Sequence, residues 1–182
     1  NTAFALVGLD VSVPALQVSA PDTLTCLLNT VNLQASITAA SALQNISWAG
    51  PANFVSSVED PAVNTQGTYT LMVTDINGCS ASIQTIVNQD TMPPDISAMG
   101  GTLTCTITGI NLEGGSTSSG ATFTWTGNNF SSTLEDPAVT TNGTYSLLVT
   151  GINGCISEAE AIVVLDTIAP DLSVSPATTL DC

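Results

Sequence analysis

The sequence predicts an all-β protein built as tandem β-sandwich repeats, and three observations carry that expectation. Apolar residues alternate with polar ones in short runs such as GTYTLMVT at residues 67–74, while no segment holds a helical period over three turns. Gly, Pro, Asn and Ser punctuate the chain at short intervals, as in short strands joined by turns. The chain also repeats itself: GTYTLMVTDINGC at 67–79 returns as GTYSLLVTGINGC at 143–155. Self-similarity at such a period marks stacked copies of one structural unit.

The register of the repeat sets the expected domains. TLTC at 23–26 matches TLTC at 102–105, Trp48 matches Trp125, and EDPAV at 59–63 matches 135–139. The offset falls from 79 to 77 to 76, so residues are lost only in the loops flanking the Trp segment, where a strand scaffold tolerates it. Asp10, Asp90 and Asp166 are followed four residues later by Pro14, Pro94 and Pro170, which places both ends of the chain in the same register. Residues 1–9 are then the last strand of a preceding module, or a donor strand completing a neighbour's sheet. Residues 10–20 form a proline-containing linker and first strand, 21–89 the first module, and 90–165 the second with its linker. Residues 166–182 form the linker and first strand of a following module.

Each element has its own signal. Leu103, Cys105 and Ile107 alternate with threonines, the period of a half-buried strand, and Gly109 predicts a bend before Ile110 and Leu112. TFTWT at 122–126 puts Phe123 and Trp125 on one face, and Tyr145, Leu147 and Val149 alternate in the same way. Asn77-Gly78 and Asn153-Gly154 are hairpin turn signals. The order Cys…Trp…Cys in short strands indicates an immunoglobulin-like sandwich, with Trp48, Trp125, Tyr69 and Tyr145 as core aromatics. Trp48 and Trp125 are expected to pack on the disulfides of their modules. Tyr69 and Tyr145 precede the second cysteine by ten residues instead of two, out of register for the usual tyrosine corner.

Of the five cysteines, four are expected to pair within modules, Cys26 with Cys79 and Cys105 with Cys155. Cys182 is the first cysteine of a third module by register. Its mate lies in a following module or on another subunit, or it is a thiol left by truncation. A disulfide closing about 50 residues contributes roughly 4 kcal/mol in the chain-entropy model, a large share of the stability of a module this small. It also implies an oxidising, extracytoplasmic compartment.

Composition excludes whole classes of function. The 182 residues include no Lys, Arg or His against 15 Asp plus Glu, a formal charge of −15. Nothing neutralises phosphate, so nucleic acid and anionic lipid are not expected partners. The usual proton shuttles and amine nucleophiles are missing, so no catalytic residues are expected. The remaining option, a carboxylate hydrolase on Glu59 or Asp136, is poorly supported because each lies in an Asp-Pro turn beside a sequence-adjacent acid. No run approaches the ~20 apolar residues of a membrane-spanning helix.

The acids of the proline segments, Asp90, Asp95, Asp166 and Asp171, are the candidate ligands for calcium, which prefers converging oxygens. The competing reading is a proline-stiffened linker with solvated acids. Asn45, Asn129 and Asn142 stand in N-glycosylation sequons, while Thr91 and Thr167 stand in Asp-Thr-apolar tripeptides that look like a bacterial O-glycan acceptor motif. All five are candidate glycosylation sites.

The pattern LTC…SWAGPANF…EDPAV…GTYTLMVTDINGC resembles the Ig-like (PKD-like or hyalin-repeat-like) modules of giant secreted bacterial surface adhesins and filaments. The resemblance spans both full modules and both partial ends. It implies a secreted, multi-repeat stalk or fibre whose partner is itself, as a homopolymer or a continuous array; the alternative is a set of loops binding a glycan or surface protein. The second module departs at Gly151, where the first has Asp75.

Overall fold

The computed structural model describes residues 11–19 and 21–168. They divide into two compact units, one running to Met92 and including Ile152–Cys155, the other Pro93–Gly151 and the residues from Ile156 onward. The division falls after Met92, and the short turn Ile152–Cys155 groups with the first unit. Residues 1–9, with their expected strand, and Asp10, Pro170, Asp171 and Cys182 lie outside the described residues.

In the first unit, β1 (Ala15–Ser19) is followed by β2 (Leu24–Thr25), β3 (Val31–Asn32), β4 (Gln34–Thr38) and β5 (Leu43–Ala49). Then come β6 (Val55–Ser56), β7 (Ala62–Val63), β8 (Gly67–Asp75), β9 (Ser80–Val87) and β10 (Gln89–Asp90). One face pairs β1 with β4 and β3 with β7; the other runs β6-β5-β8-β9, and β2 pairs parallel with β10. In the second unit, β11 (Ser97–Met99), β12 (Thr102–Thr104), β13 (Ile110–Asn111), β14 (Glu113–Gly115) and β15 (Thr122–Gly127) precede four further strands. These are β16 (Phe130–Ser132), β17 (Ala138–Val139), β18 (Gly143–Thr150) and β19 (Ile156–Asp166). Here β11 pairs with β14, β13 with β17, and a five-stranded sheet runs β12-β19-β18-β15-β16. Each unit is thus an immunoglobulin-like sandwich.

Alternation explains the burial. In β8, Tyr69, Leu71 and Val73 are buried while Thr68 and Met72 face out. Tyr145, Leu147 and Val149 repeat this in β18. The two cores are built from matching residues, Leu33, Trp48, Tyr69 and Leu71 in one, Leu112, Trp125, Tyr145 and Leu147 in the other. No cysteine belongs to either cluster, so the tryptophans do not rest on disulfides as the sequence suggested. Instead each indole N–H donates to a backbone carbonyl, Trp48 to Glu59 at 3.0 Å and Trp125 to Glu135 at 2.9 Å. A buried indole needs such an acceptor.

The EDP segments do more than turn the chain. The Asp60 carboxylate accepts from the Ala35 N–H at 2.8 Å, and Asp136 accepts from Gly114 at 2.9 Å. The next residue's carbonyl takes the N–H of the buried leucine, Leu33 to Pro61 at 3.0 Å and Leu112 to Pro137 at 2.9 Å. These bonds hold the chain where it leaves one partner strand for another, β3 pairing with β7 but β4 with β1. The change of partner sits at Leu112, between β13 and β14.

Both tyrosines form corner bonds after all. The hydroxyl of Tyr69 donates to the Thr65 carbonyl and that of Tyr145 to Thr141, each at 2.8 Å. This is the back-bond of a tyrosine corner, made at the start of β8 and β18. It is the second cysteine, displaced to the far end of the strand, that departs from the usual spacing. Phe54 and Phe130 meet these rings edge-on at centroid distances of 5.4 and 5.7 Å, a favoured aromatic geometry. Among the described residues no helix is long and apolar enough to cross a membrane.

Candidate functional site

The four described cysteines occupy two kinds of turn, each present twice. The strand predicted through Cys105 and Ile107 ends at Thr104, because the chain turns there. The Thr104 N–H donates to the Ile107 carbonyl at 2.9 Å, and its hydroxyl accepts the Ile107 N–H at 3.0 Å. The same turn follows β2, with Thr25 N–H donating to Leu28 at 2.8 Å and Thr25 Oγ1 accepting from Leu28 at 3.0 Å. Cys26 and Cys105 therefore sit on equivalent exposed turns. The second cysteine of each repeat follows the Ile-Asn-Gly loop and leads into the last long strand, β9 or β19.

The expected in-repeat pairs are not formed. Cys26 is bonded to Cys155, with Cα atoms 5.1 Å apart, and Cys79 and Cys105 carry free thiols. The strand register gives the reason. Thr25 lies beside Asp90 in the parallel pairing of β2 and β10, so Cys26 is level with the end of the final strand. Cys79 stands before Ser80, where that strand begins. At ~3.3 Å per residue the two are roughly 35–40 Å apart, whereas a disulfide needs Cα atoms within about 7 Å. In the second repeat Thr104 pairs with Asp166 at the end of β19, and Cys155 precedes its first residue, so Cys105 and Cys155 are separated by the same length. The first cysteine of each repeat follows β2 or β12 and the second leads into β9 or β19, and the parallel pairing holds the two turns at opposite ends.

The Ile152–Cys155 turn is tied to the first unit by more than sulfur. The Asn153 side-chain amide donates to the Asp90 carboxylate and to the Met92 carbonyl, both at 2.9 Å. Its own oxygen accepts the Cys155 N–H at 3.1 Å. Gly154 has φ +75°, and a Cβ there would meet the side chain of Leu27. Gly78 has φ +82° with nothing within 4 Å. The Cys26–Cys155 bond spans 129 residues of sequence, worth about 5 kcal/mol in the chain-entropy model.

At the other loop the buried Asp75 organises the turn. Its Oδ1 accepts the N–H groups of Asn77 and Cys79 at 2.9 Å each, and its Oδ2 accepts the Ser41 hydroxyl at 2.9 Å. Gly151 stands at this register in the second repeat, so there Asn153 takes over the Cys155 N–H.

Three of the junction acids, Asp90, Asp95 and Asp166, lie among the described residues, and each has hydrogen-bond partners of its own. Asp90 is engaged by Asn153, and Asp166 Oδ1 accepts the Ile168 N–H at 3.1 Å. Asp95 accepts from the Thr117 N–H at 2.9 Å, the Ser118 hydroxyl at 2.8 Å, and the Thr117 and Ser116 hydroxyls at 3.0 and 3.1 Å. The Thr117 backbone bond, followed by the Ser118 hydroxyl, holds its carboxyl well below the ordinary carboxylate range. No group of three or more Asp, Glu, Cys or His side chains converges among the described residues. Asp95 instead fastens a loop: Ala15, its repeat equivalent, is in ladder with Thr38, whereas β11 begins only at Ser97 and the Asp95 side chain bonds the residues that follow β14.

Asn45, Asn129, Asn142, Thr91 and Thr167 are all exposed. Thr91 accepts a bond from the Gln89 amide at 2.9 Å.

The fold and its repeated cores define the chain as tandem immunoglobulin-like sandwiches. Among solved structures it is similar to an ice-binding adhesin of an Antarctic bacterium described as Ca2+-stabilized, at 13% identity and TM-score 0.57, covering 88% of this chain and 51% of that one. A bacterial 1.5-MDa ice-binding adhesin gives 12% identity and TM-score 0.55, covering 86% and 66%. Murine CEACAM1b is matched over 85% of this chain and 100% of its own, at 14% identity and TM-score 0.36. At such identities the likeness is one of fold. No protein-family model and no curated protein matches the chain.

Proposed function

We propose that the chain is a structural repeat unit of an extracellular bacterial filament or adhesin stalk, of the PKD-like or hyalin-repeat-like kind, which supplies length and stiffness. One observation carries the reading: the half-cystines of the disulfide come from successive sequence repeats. Such a bond ties one repeat to the next, which a lone binding domain does not need and a load-bearing string does. Repeats stacked in one dimension gain stability from each neighbour interface. The disulfide fits an oxidising compartment, and the fold likeness to bacterial adhesins supports a place at the cell surface. The partner in this reading is further copies of the same repeat.

The test is the mass of the native protein under denaturing conditions, with and without reductant. The expected result is a species far above the 18.4 kDa of this chain. A large mass unchanged by reductant identifies one continuous polypeptide, and a ladder collapsing to ~18 kDa identifies a disulfide-linked polymer. An 18 kDa species in both lanes overturns the proposal.

A further inference from the structure

The bond between Cys26 and Cys155 is the complete form of a geometry of which Cys79 and Cys105 each carry one half. Cys26 and Cys105 occupy the same threonine-capped turn at the end of the same strand pairing. Cys79 and Cys155 occupy the same loop before the same long strand. Within one repeat the two turns lie a full strand apart, which excludes closure in either repeat. Pairing of a first cysteine with the second cysteine of the following repeat is the arrangement actually formed.

We infer that this register propagates, so that a first-cysteine turn of the preceding repeat closes on Cys79 and the Ile-Asn-Gly loop of the following repeat closes on Cys105. The two free thiols are then the open ends of a disulfide ladder that runs along the array, one rung per repeat boundary. The inference rests on the array reading above. Cys182, outside the described residues, has the register of Cys26 and Cys105; its partner is accordingly the second cysteine of the repeat after its own, not the nearer one.

Local details match the two states of the loop. Gly154, in the loop that is bonded, has Leu27 against it, whereas Gly78, in the loop whose partner is not in this chain, has open space. Cys155 is 3% exposed, and Cys79 is half-buried. Each rung forms by loss of two protons and two electrons from two thiols. The electrons pass to a disulfide oxidant, such as oxidised glutathione, which is reduced to two thiols.

The experiment is disulfide mapping of the native protein. Free thiols are alkylated first, and pepsin at acid pH follows, because the chain offers trypsin no Lys or Arg and acid suppresses the thiolate that drives exchange. The expected peptides link Cys26 to Cys155, Cys79 to a first-cysteine turn of another repeat, and Cys105 to an Asn-Gly-Cys loop of another repeat. The non-reducing mass tells whether those repeats lie in the same polypeptide or a second copy. Links of Cys26 with Cys79 or Cys105 with Cys155 overturn the inference. Alkylated Cys79 and Cys105 in a very large native protein overturn the ladder and leave the array intact, whereas an 18 kDa native protein removes both. For this chain alone, oxidised at high concentration, any bonds between copies formed by these two thiols are expected to join Cys79 to Cys105. Predominant Cys79–Cys79 or Cys105–Cys105 links count against the register.

Discussion

The indole N–H of Trp125 donates to the backbone carbonyl of Glu135 at 2.9 Å, and Trp48 makes the same bond to Glu59. Both rings are fully buried, so replacement leaves a carbonyl without its donor and a void beside it. Trp125→Phe is expected to cost roughly 2–4 kcal/mol, lowering the Tm of the second sandwich by about 10 °C or more. Calorimetry checks this, and a loss below 1 kcal/mol would show that the bond and the packing matter little.

The two acids of each EDP segment are expected to behave differently. Asp60 and Asp136 use their carboxylates to hold the N–H groups of Ala35 and Gly114, whereas the tryptophans use only the main chain of Glu59 and Glu135. Asp60→Ala and Asp136→Ala should each destabilise by about 1 kcal/mol. Glu59→Ala and Glu135→Ala should stay within about 0.5 kcal/mol of the parent. Chemical denaturation of the four variants separates the two sets; equal losses at the glutamates would contradict the assignment.

Asp95 predicts a pH dependence whose sign follows from its hydrogen bonds. Its folded-state pKa is lowered, so its contribution is fully present above the ordinary Asp value near ~4 and is lost as pH falls below it. The Tm gap between the parent and Asp95→Asn should therefore be widest at neutral pH and close on acidification. A gap of the same size at pH 7 and pH 2 would contradict a charged acceptor. The first repeat has Ala15 at this register and so provides no compensating slope.

The glycines of the two Asn-Gly loops make a matched pair. Both have positive φ, so alanine at either should cost about 1 kcal/mol from backbone strain. Gly154→Ala alone also meets Leu27, and it should lower the yield of the Cys26–Cys155 bond under oxidising refolding. Leu27→Ala in the same chain should restore that yield. If Gly78→Ala impairs the bond equally, the Leu27 contact is not the cause.

Much of the sandwich was legible because its determinants are local. The alternation in residues 67–75 and 143–150 depends only on the period of a strand, and Trp48, Trp125, Tyr69 and Tyr145 follow from the repeat register. The disulfide was not local, and its partner was misassigned. Order along the chain favoured Cys26 with Cys79, yet pairing depends on where β2 lies against β10, a parallel register that no propensity encodes. The acids show the same limit. Asp95 looked like one of a pair with Asp90, but its partners are Ser116, Thr117 and Ser118, more than twenty residues away in sequence.

By itself the sequence determined that this chain folds as repeated β-sandwiches with matching cores, and that basic-residue chemistry plays no part in what it does. Tertiary structure alone decided which cysteines meet. The reason is distance: a strand of ten residues carries its two ends about 30 Å apart, and a sulfur can bond only to what the fold brings within a few ångströms.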